Sequence, residues 1–395
     1  GKAPRLLASK PTTEAADAPL PQVRRDFYLE HPHVAALTPP QADALRAQLG
    51  IRVIGEGCPN PVGSFLQASF PQYVLDALAQ ANYVQPTAIQ RQSWPIAMQG
   101  RDLVGLAETG SGKTLAFLLP ALVHVNAQPV LHEGEGPLAL VLAPTRELAV
   151  QIHEECVRFG HPCGVSTICI YGGVPKQPQI QALRKAPEVL VATPGRLTDL
   201  LSSKKTELSR CTYVVADEAD RMLDLGFEPQ LRNLLLQMRP DRQTLMFSAT
   251  WPAEVQSLAE NFLLPGFLLV EVGGALVEAG KANAQIKQHV VMCEESSKLG
   301  KLIDLLEELM DGSKILIFCS SKRRCDTLTR ELRVDGWPCL AIHGDKTQEE
   351  RDWVLQEFKD GTQPVLVATD VAQRGLDIKD VKCVINYDCP SSSEG

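Results

Sequence analysis

The chain has 395 residues, with 39 lysines and arginines against 47 aspartates and glutamates and a formal net charge of -8 at pH 7. That length exceeds one ordinary core and points to two or three domains. The acidic balance excludes a protein coated in base for nucleic acid, and no apolar run is long enough to span a bilayer; the richest, Leu115 to Val125, is short and broken by Pro120.

Taken from the start, residues 1 to 20 are rich in Ala, Pro and Thr without periodicity and cannot bury enough surface to offset chain entropy. The first residue is Gly1 and no secretory layout follows, so a fragment of a longer protein is expected. Helical hints at Pro40–Gly50 and the Gly/Pro cluster Ile54–Gly63 read as extended chain laid on a domain. Residues 1–64 are therefore expected to form an N-terminal extension, partly disordered. His31 and His33 lie in its Pro-rich part with no cysteine pair nearby, a chance spacing rather than a zinc site.

From Phe65 on, a short apolar strand, a polar loop and a helical stretch recur. The strands read as Asp102–Ala107, Leu138–Ala143, Thr167–Gly172, Glu188–Thr193, Tyr213–Ala216 and Thr244–Ala249, then Lys314–Cys319, Cys339–Gly344, Val365–Asp370 and Cys383–Asp388. Such alternation predicts parallel sheets with helices on both faces. The Gly- and Ala-rich stretch Glu271–Gln285 suits a linker, giving a first domain at 65–272, a linker at 273–285 and a second domain at 286–395. Eleven cysteines include no CxxC pair, and Cys169, Cys319 and Cys383 sit inside apolar runs. They read as reduced, mostly buried thiols of an intracellular protein.

The unusual polar residues follow directly after the strands, which in an open α/β sheet places them on the carboxyl edge, where ligands bind. "AETGSGKT", Ala107–Thr114, joins a strand to an apolar helix. Thr109, Gly110, Ser111 and Gly112 would turn backbone N–H groups toward phosphate oxygens. Lys113 would reach the β and γ phosphates, and Thr114 would offer its hydroxyl to Mg2+. The strict pattern has glycine where Ala107 stands, and a merely flexible loop is the alternative. At the end of "VVADEAD", Asp217 would hold the metal and Glu218 would orient or deprotonate a water; an acidic surface turn is the bland alternative.

Together these stretches resemble a DEAD-box RNA helicase. "DEAD" stands at Asp217–Asp220, "PTRELA" at Pro144–Ala149, "GG" at Gly172–Gly173, "TPGR" at Thr193–Arg196 and "SAT" at Ser248–Thr250. The second half has "IFCSSK" at Ile317–Lys322, "QEER" at Gln348–Arg351 and "ATDVAQRGLDI" at Ala368–Ile378. The flanking text is similar to the nuclear subgroup linked to splicing, transcription and ribosome assembly. The resemblance implies two RecA-like domains, each a parallel sheet with helices on both faces, and use of ATP and Mg2+.

It also implies roles. Gln90 would hydrogen-bond the adenine edge and Phe65 would stack on the ring; Asn82 replaces a glycine usual in the family, and asparagine tolerates a left-handed backbone. Asp377 would reach the ATP ribose, and Ser248 with Thr250 would couple hydrolysis to the RNA site. RNA contacts fall on Pro144, Thr145, Arg146, Gly172, Gly173, Thr193, Gly195 and Arg196, then on Gln348, Arg351, Thr369 and Asp370. Such contacts read phosphate and sugar without base sequence. The partner is then RNA of any sequence, besides proteins of ribonucleoprotein assemblies, with no membrane; a monomer in the nucleus, nucleolus and cytoplasm is expected. The sequence contains no HRxGRxxR string, the family's source of arginines beside the γ phosphate. This chain is accordingly expected to have an incomplete, less stable second domain and weak or no hydrolysis. A non-catalytic ATP and RNA clamp is the rival reading; a GTPase or DNA translocase is disfavoured because Asn-Lys-x-Asp is absent.

Overall fold

Residues 22–274, 287–369 and 380–388 are described by the computed structural model. Two units divide the chain, Gly1–Ala279 and Gly280–Gly395. Asp370, Asp377 and residues 275–285 of the expected linker lie outside the described residues.

The first unit opens with α1 (Pro32–Ala35) and α2 (Pro39–Gln48), each carrying proline in its first turn, where the missing N–H costs nothing. Then come β1 (Ile51–Ile54), α3 (Gln72–Gln80), α4 (Ala88–Met98), β2 (Leu103–Leu106), α5 (Lys113–Ala127), β3 (Ala139–Leu142) and α6 (Arg146–Gly160). They are followed by β4 (Thr167–Ile170), α7 (Lys176–Leu183), β5 (Val189–Ala192), α8 (Pro194–Ser202), β6 (Tyr213–Ala216) and α9 (Ala219–Asp224). The unit closes with α10 (Glu228–Leu236), β7 (Gln243–Ser248), α11 (Ala253–Phe262) and β8 (Leu268–Val272). The eight strands run β1-β8-β2-β7-β6-β3-β5-β4, parallel throughout except for β1 against β8. Strands β2, β3, β5 and β6 are buried at every position, as a sheet covered on both faces requires. Alternate residues feed two cores. Val141, Val191, Val215 and Phe247 pack with Trp94, Phe117 and Phe159 on one face. Leu140, Leu190, Val214 and Met246 pack with Leu197, Met222 and Phe262 on the other. A Cβ at Gly105 would come within 2.5 Å of the Phe247 ring, so the absence of a side chain there admits that ring.

Two strands were not foreseen. β1 falls inside the stretch read as loosely laid extension, yet it hydrogen-bonds to β8 in register Ile51↔Val272 to Ile54↔Leu269. The chain before α1 is also tied down, with Phe27 N donating to Met98 O at 2.6 Å. β8 itself was absorbed into the approach to the linker.

The second unit contains α12 (Lys298–Leu309), β9 (Lys314–Cys319), α13 (Lys322–Val334), β10 (Cys339–Ile342), α14 (Gln348–Lys359), β11 (Val365–Thr369) and β12 (Val381–Asn386). Its described strands form a parallel sheet in the order β10-β11-β9-β12. Leu306 of α12 and Leu328 of α13 pack on one face with Ile315 and Ile317, while Val354 and Phe358 of α14 pack on the other with Leu316 and Phe318. The described cysteines are free thiols. Among the described residues no helix is long and apolar enough to cross a membrane.

Candidate active site

In the first unit the carboxyl ends of β2, β7 and β6 lie side by side, and each is followed by one predicted motif. After β2 the chain turns through Gly110 and Gly112, at φ 80° and 92°, into α5. Left-handed values of this kind suit glycine and let backbone N–H groups converge. Lys113, the first residue of α5, is buried, and its Nζ donates to Ala107 O at 2.8 Å. Ser111 Oγ donates to Glu108 O at 2.7 Å, and Thr114 follows Lys113 at the start of the helix. The carbonyl of Ala107, the residue that departs from the strict pattern, thus holds the lysine.

After β6, Asp217 is buried and Oδ1 accepts from Glu218 N at 3.0 Å. Burial pushes its carboxyl above the usual carboxylate range, while the Lys113 ammonium pulls it back. Glu218 sits at φ 53°, a strained conformation for a residue with a side chain, and caps α9. Burial and the adjacent Asp217 both raise its pKa, and Oε2 is buried without a hydrogen-bond partner. After β7, Ser248 is buried and its Oγ also lacks a partner, while its carbonyl accepts from Ala107 N at 3.2 Å.

Asp220 was not singled out from sequence, and the structure makes it the joint of this edge. Its Oδ2 accepts from Ala249 N at 3.2 Å, Thr250 N at 3.0 Å and Thr250 Oγ1 at 2.9 Å. The signal was present as the last letter of DEAD; a separation of thirty positions from Thr250 hid the pairing.

Helix α4 lies against the phosphate loop. Gln90 is buried, its Oε1 accepting from Thr87 N at 3.0 Å and its Nε2 donating to Gly112 O at 2.9 Å. One turn on, Trp94 Nε1 donates to Leu115 O at 3.0 Å. Phe65 is half-buried with its ring centroid 5.8 Å from that of Trp94. Asn82 adopts φ 60°, the left-handed conformation expected of it.

The next three strands of the same edge, β3, β5 and β4, carry the residues expected to meet RNA. Pro144 and Thr145 lead into α6, where Thr145 Oγ1 accepts from Leu148 N and the Arg146 guanidinium lies 4.6 Å from the Tyr171 ring centroid. Thr193 caps α8 and Gly195 lies in its first turn; Arg196 is buried and donates from Nη2 to Val174 O at 2.9 Å. Gly172 and Gly173 have no atom within 4 Å of where a Cβ would stand, leaving open space above them. In the second unit Thr369 ends β11 and is buried, and Gln348 and Arg351 lie in the first turn of α14. His31 and His33 neighbour each other, but among the described residues no cluster of His, Cys, Asp and Glu could hold a metal by itself.

Comparison with known proteins agrees with this arrangement. The DEAD/DEAH box helicase model matches residues 87–258, and the helicase conserved C-terminal domain model matches 297–395. The chain is 56% identical over 389 residues to "DEAD-box ATP-dependent RNA helicase 20" of Oryza sativa subsp. japonica, covering 98% of this chain and 78% of that protein. It is 56% identical over 378 residues to "Probable ATP-dependent RNA helicase DDX17" of Homo sapiens and spans 51% of that protein's length. Among solved structures, S. cerevisiae Dbp5 bound to RNA and ADP BeF3 matches with a TM-score of 0.72 at 30% identity, covering 84% of this chain and 82% of that one. The RNA-helicase Prp28 from Chaetomium thermophilum bound to ADP matches with a TM-score of 0.57 at 36% identity, over 93% and 87% of the two chains. With two family models in sequence order along one chain and a relative matched at 56% identity over most of its length, this chain belongs to the DEAD-box helicase family.

Proposed function

We propose that the chain is an ATP-dependent RNA helicase that opens short RNA duplexes locally and remodels ribonucleoprotein complexes. One observation carries the reading. Phosphate loop, DEAD and SAT follow β2, β6 and β7, and the candidate RNA residues follow the adjoining β3, β5 and β4, so nucleotide and RNA would share one sheet edge with Asp220 between.

In this reading the N–H groups of Thr109 to Gly112 and the Lys113 ammonium bind the phosphates, while Gln90 reads the adenine edge and Phe65 stacks on it. Asp377 reaches the ribose. Glu218, whose unpartnered Oε2 and raised pKa suit a proton acceptor, orients and deprotonates the attacking water. The Thr114 hydroxyl and the Asp217 carboxylate are hard oxygen donors of the kind that would hold Mg2+. Bound there, the ion would neutralise charge developing on the transferred phosphoryl group. Thr250 and Asp220 pass the state of the phosphate side to the RNA side. There Pro144, Thr145, Arg146, Gly172, Gly173, Thr193, Gly195 and Arg196, with Gln348, Arg351, Thr369 and Asp370 of the second unit, hold the sugar-phosphate backbone. ATP and RNA that favour the same conformation would strengthen each other's binding. We place the first domain at 65–272 with β1 of the preceding extension added to its sheet, the linker at 273–285 and the second domain at 286–395, acting as a monomer with protein partners in the nucleus and cytoplasm.

ATP hydrolysis measured with and without single-stranded RNA, in a protein that also carries an HRxGRxxR segment, tests the reading. A rate that rises with RNA of any sequence and not with GTP as substrate supports it. A rate indifferent to RNA overturns it.

A further inference from the structure

Strand β10 stands at one end of the second unit's sheet and, among the described residues, is paired only on its β11 side. Because α13 covers one face of that sheet and α14 the other, the free edge of β10 opens at the bottom of a cleft between them. The cleft encloses about 670 Å³ and is lined from both helices and from Leu340 and Ala341 of β10.

Its chemistry is specific in three ways. Along a strand in a parallel sheet, the backbone groups of successive residues face opposite neighbours. Pro338 O accepts from Val365 N on the β11 side, so Cys339 and Ala341 turn their backbone groups outward. The Cys339 carbonyl has already drawn a donor, Arg333 Nε at 2.8 Å, as an added strand's N–H would. Apolar surface flanks this edge: Val334 of α13 is 85% exposed and Trp353 of α14 is 55% exposed, and both line the cleft. The charge available to a ligand is positive. Arg330, Arg333 and Lys346 outnumber Asp326 and Glu350 in the lining, and Asp326 is held by His343 and Lys346 at 3.0 Å each, which leaves Glu350 as the one acid facing the two arginines. The guanidinium groups of Arg330 and Arg333 form the rim.

We infer that this cleft is a docking site for an extended, acidic segment of a partner protein. The segment adds a short strand to β10, taking the Cys339 carbonyl over from Arg333, seats an apolar side chain between Val334 and Trp353, and sets carboxylates on Arg330 and the released Arg333. RNA fits less well: bases could stack on Trp353, but the strand edge and the apolar floor of Leu340 and Val354 would have no role in holding it.

Fluorescence anisotropy on the full chain tests this with three probes: a labelled peptide of about ten alternating Leu and Asp residues, its Lys-for-Asp counterpart, and an oligouridylate. The acidic peptide should bind saturably and the basic one should not. Trp353→Ala and, separately, Arg330→Glu should each weaken the acidic peptide by about tenfold or more while leaving ATP and oligouridylate affinity within about twofold. Peptide binding should also slow hydrogen exchange at the Ala341 amide. No saturable binding, equal binding of both peptides, or unchanged affinity in the two variants overturns the proposal. So does displacement of the peptide by oligouridylate, which would make the cleft an RNA surface. ATP and RNA binding are read separately, so failure here leaves the helicase reading standing.

Discussion

Glu218 concentrates the conflict between stability and chemistry. It combines a left-handed backbone, a half-buried carboxylate and a charged neighbour in Asp217, each unfavourable to folding. The sign of the linkage follows from the raised pKa values of both carboxyls. The native state holds these protons more tightly than the unfolded chain does. That contribution is fully present below the unfolded carboxylate range and is lost as pH rises through the raised folded values. Glu218→Gln is therefore expected to melt higher than wild type at pH 7, with the difference shrinking as pH falls toward about 4. The same variant should retain ATP binding and, in a protein that also carries the HRxGRxxR arginines, lose hydrolysis by about 10^2 to 10^4. Calorimetry across pH and an ATPase assay check the two halves; a Gln variant that turns over like wild type would assign the base elsewhere. Lys113→Ala should leave the fold intact and weaken ATP binding by at least about tenfold, since a charge-assisted contact to phosphate is lost. At this scale Lys113 and Asp217 were legible because their chemistry is written in contiguous letters. Asp220 was not, because its partner Thr250 is joined to it only by the fold.

Helix α4 is the element on which the phosphate loop rests. A Cβ at Gly112 would come within 2.6 Å of Gln90 Nε2 and 2.8 Å of Thr87 Oγ1, at a φ that side chains rarely adopt. Gly112→Ala should consequently displace α4 from the loop and weaken ATP binding by about tenfold or more, with a cost of roughly 1–3 kcal/mol in stability. Titration of ATP against the variant, beside its chemical denaturation, measures both. Within α5, buried His124 meets Thr212 Oγ1 at 2.8 Å, and burial holds its pKa down at about 3. It stays neutral in the fold but charges in the unfolded chain, so stability is fully present above about 6.5 and is lost as pH falls below that, at up to about 1.4 kcal/mol per unit. His124→Gln should flatten that slope, as denaturation at several pH values would show. The helices and central strands were readable because burial on both faces leaves uninterrupted apolar runs. β1 and β8 escaped because they carry Arg52 and Glu271 inside four- and five-residue strands, and only pairing within the sheet, β1 with β8 and β8 with β2 as well, makes strands of them.

For the molecule as a whole, a net charge of -8 leaves RNA binding to a few local cations. The candidate contacts include three arginines, Arg146, Arg196 and Arg351. The slope of log affinity against log salt should then be about -2 for single-stranded RNA. A flat response would remove phosphate contact from the account, and a slope several times steeper would require a basic surface that the candidate set lacks. The two-sheet plan was legible from the alternation of strands and helices, but the order of motifs along the chain is not the order of strands along the edge. What the alternation could not show is adjacency: that β6 lies beside β3, and so joins the candidate phosphate half of the edge to the candidate RNA half, is a property of the sheet order alone.

The central claim is that nucleotide and RNA bind as coupled ligands of one machine. Affinity for a single-stranded oligoribonucleotide, measured without nucleotide, with ADP and with a non-hydrolysable ATP analogue, tests it most directly. Coupling free energies of this kind typically correspond to about 5- to 150-fold. The account predicts tightening in that range with the ATP analogue, none with ADP, and loss of the effect in Lys113→Ala. An RNA affinity that is the same in all three nucleotide states would contradict it.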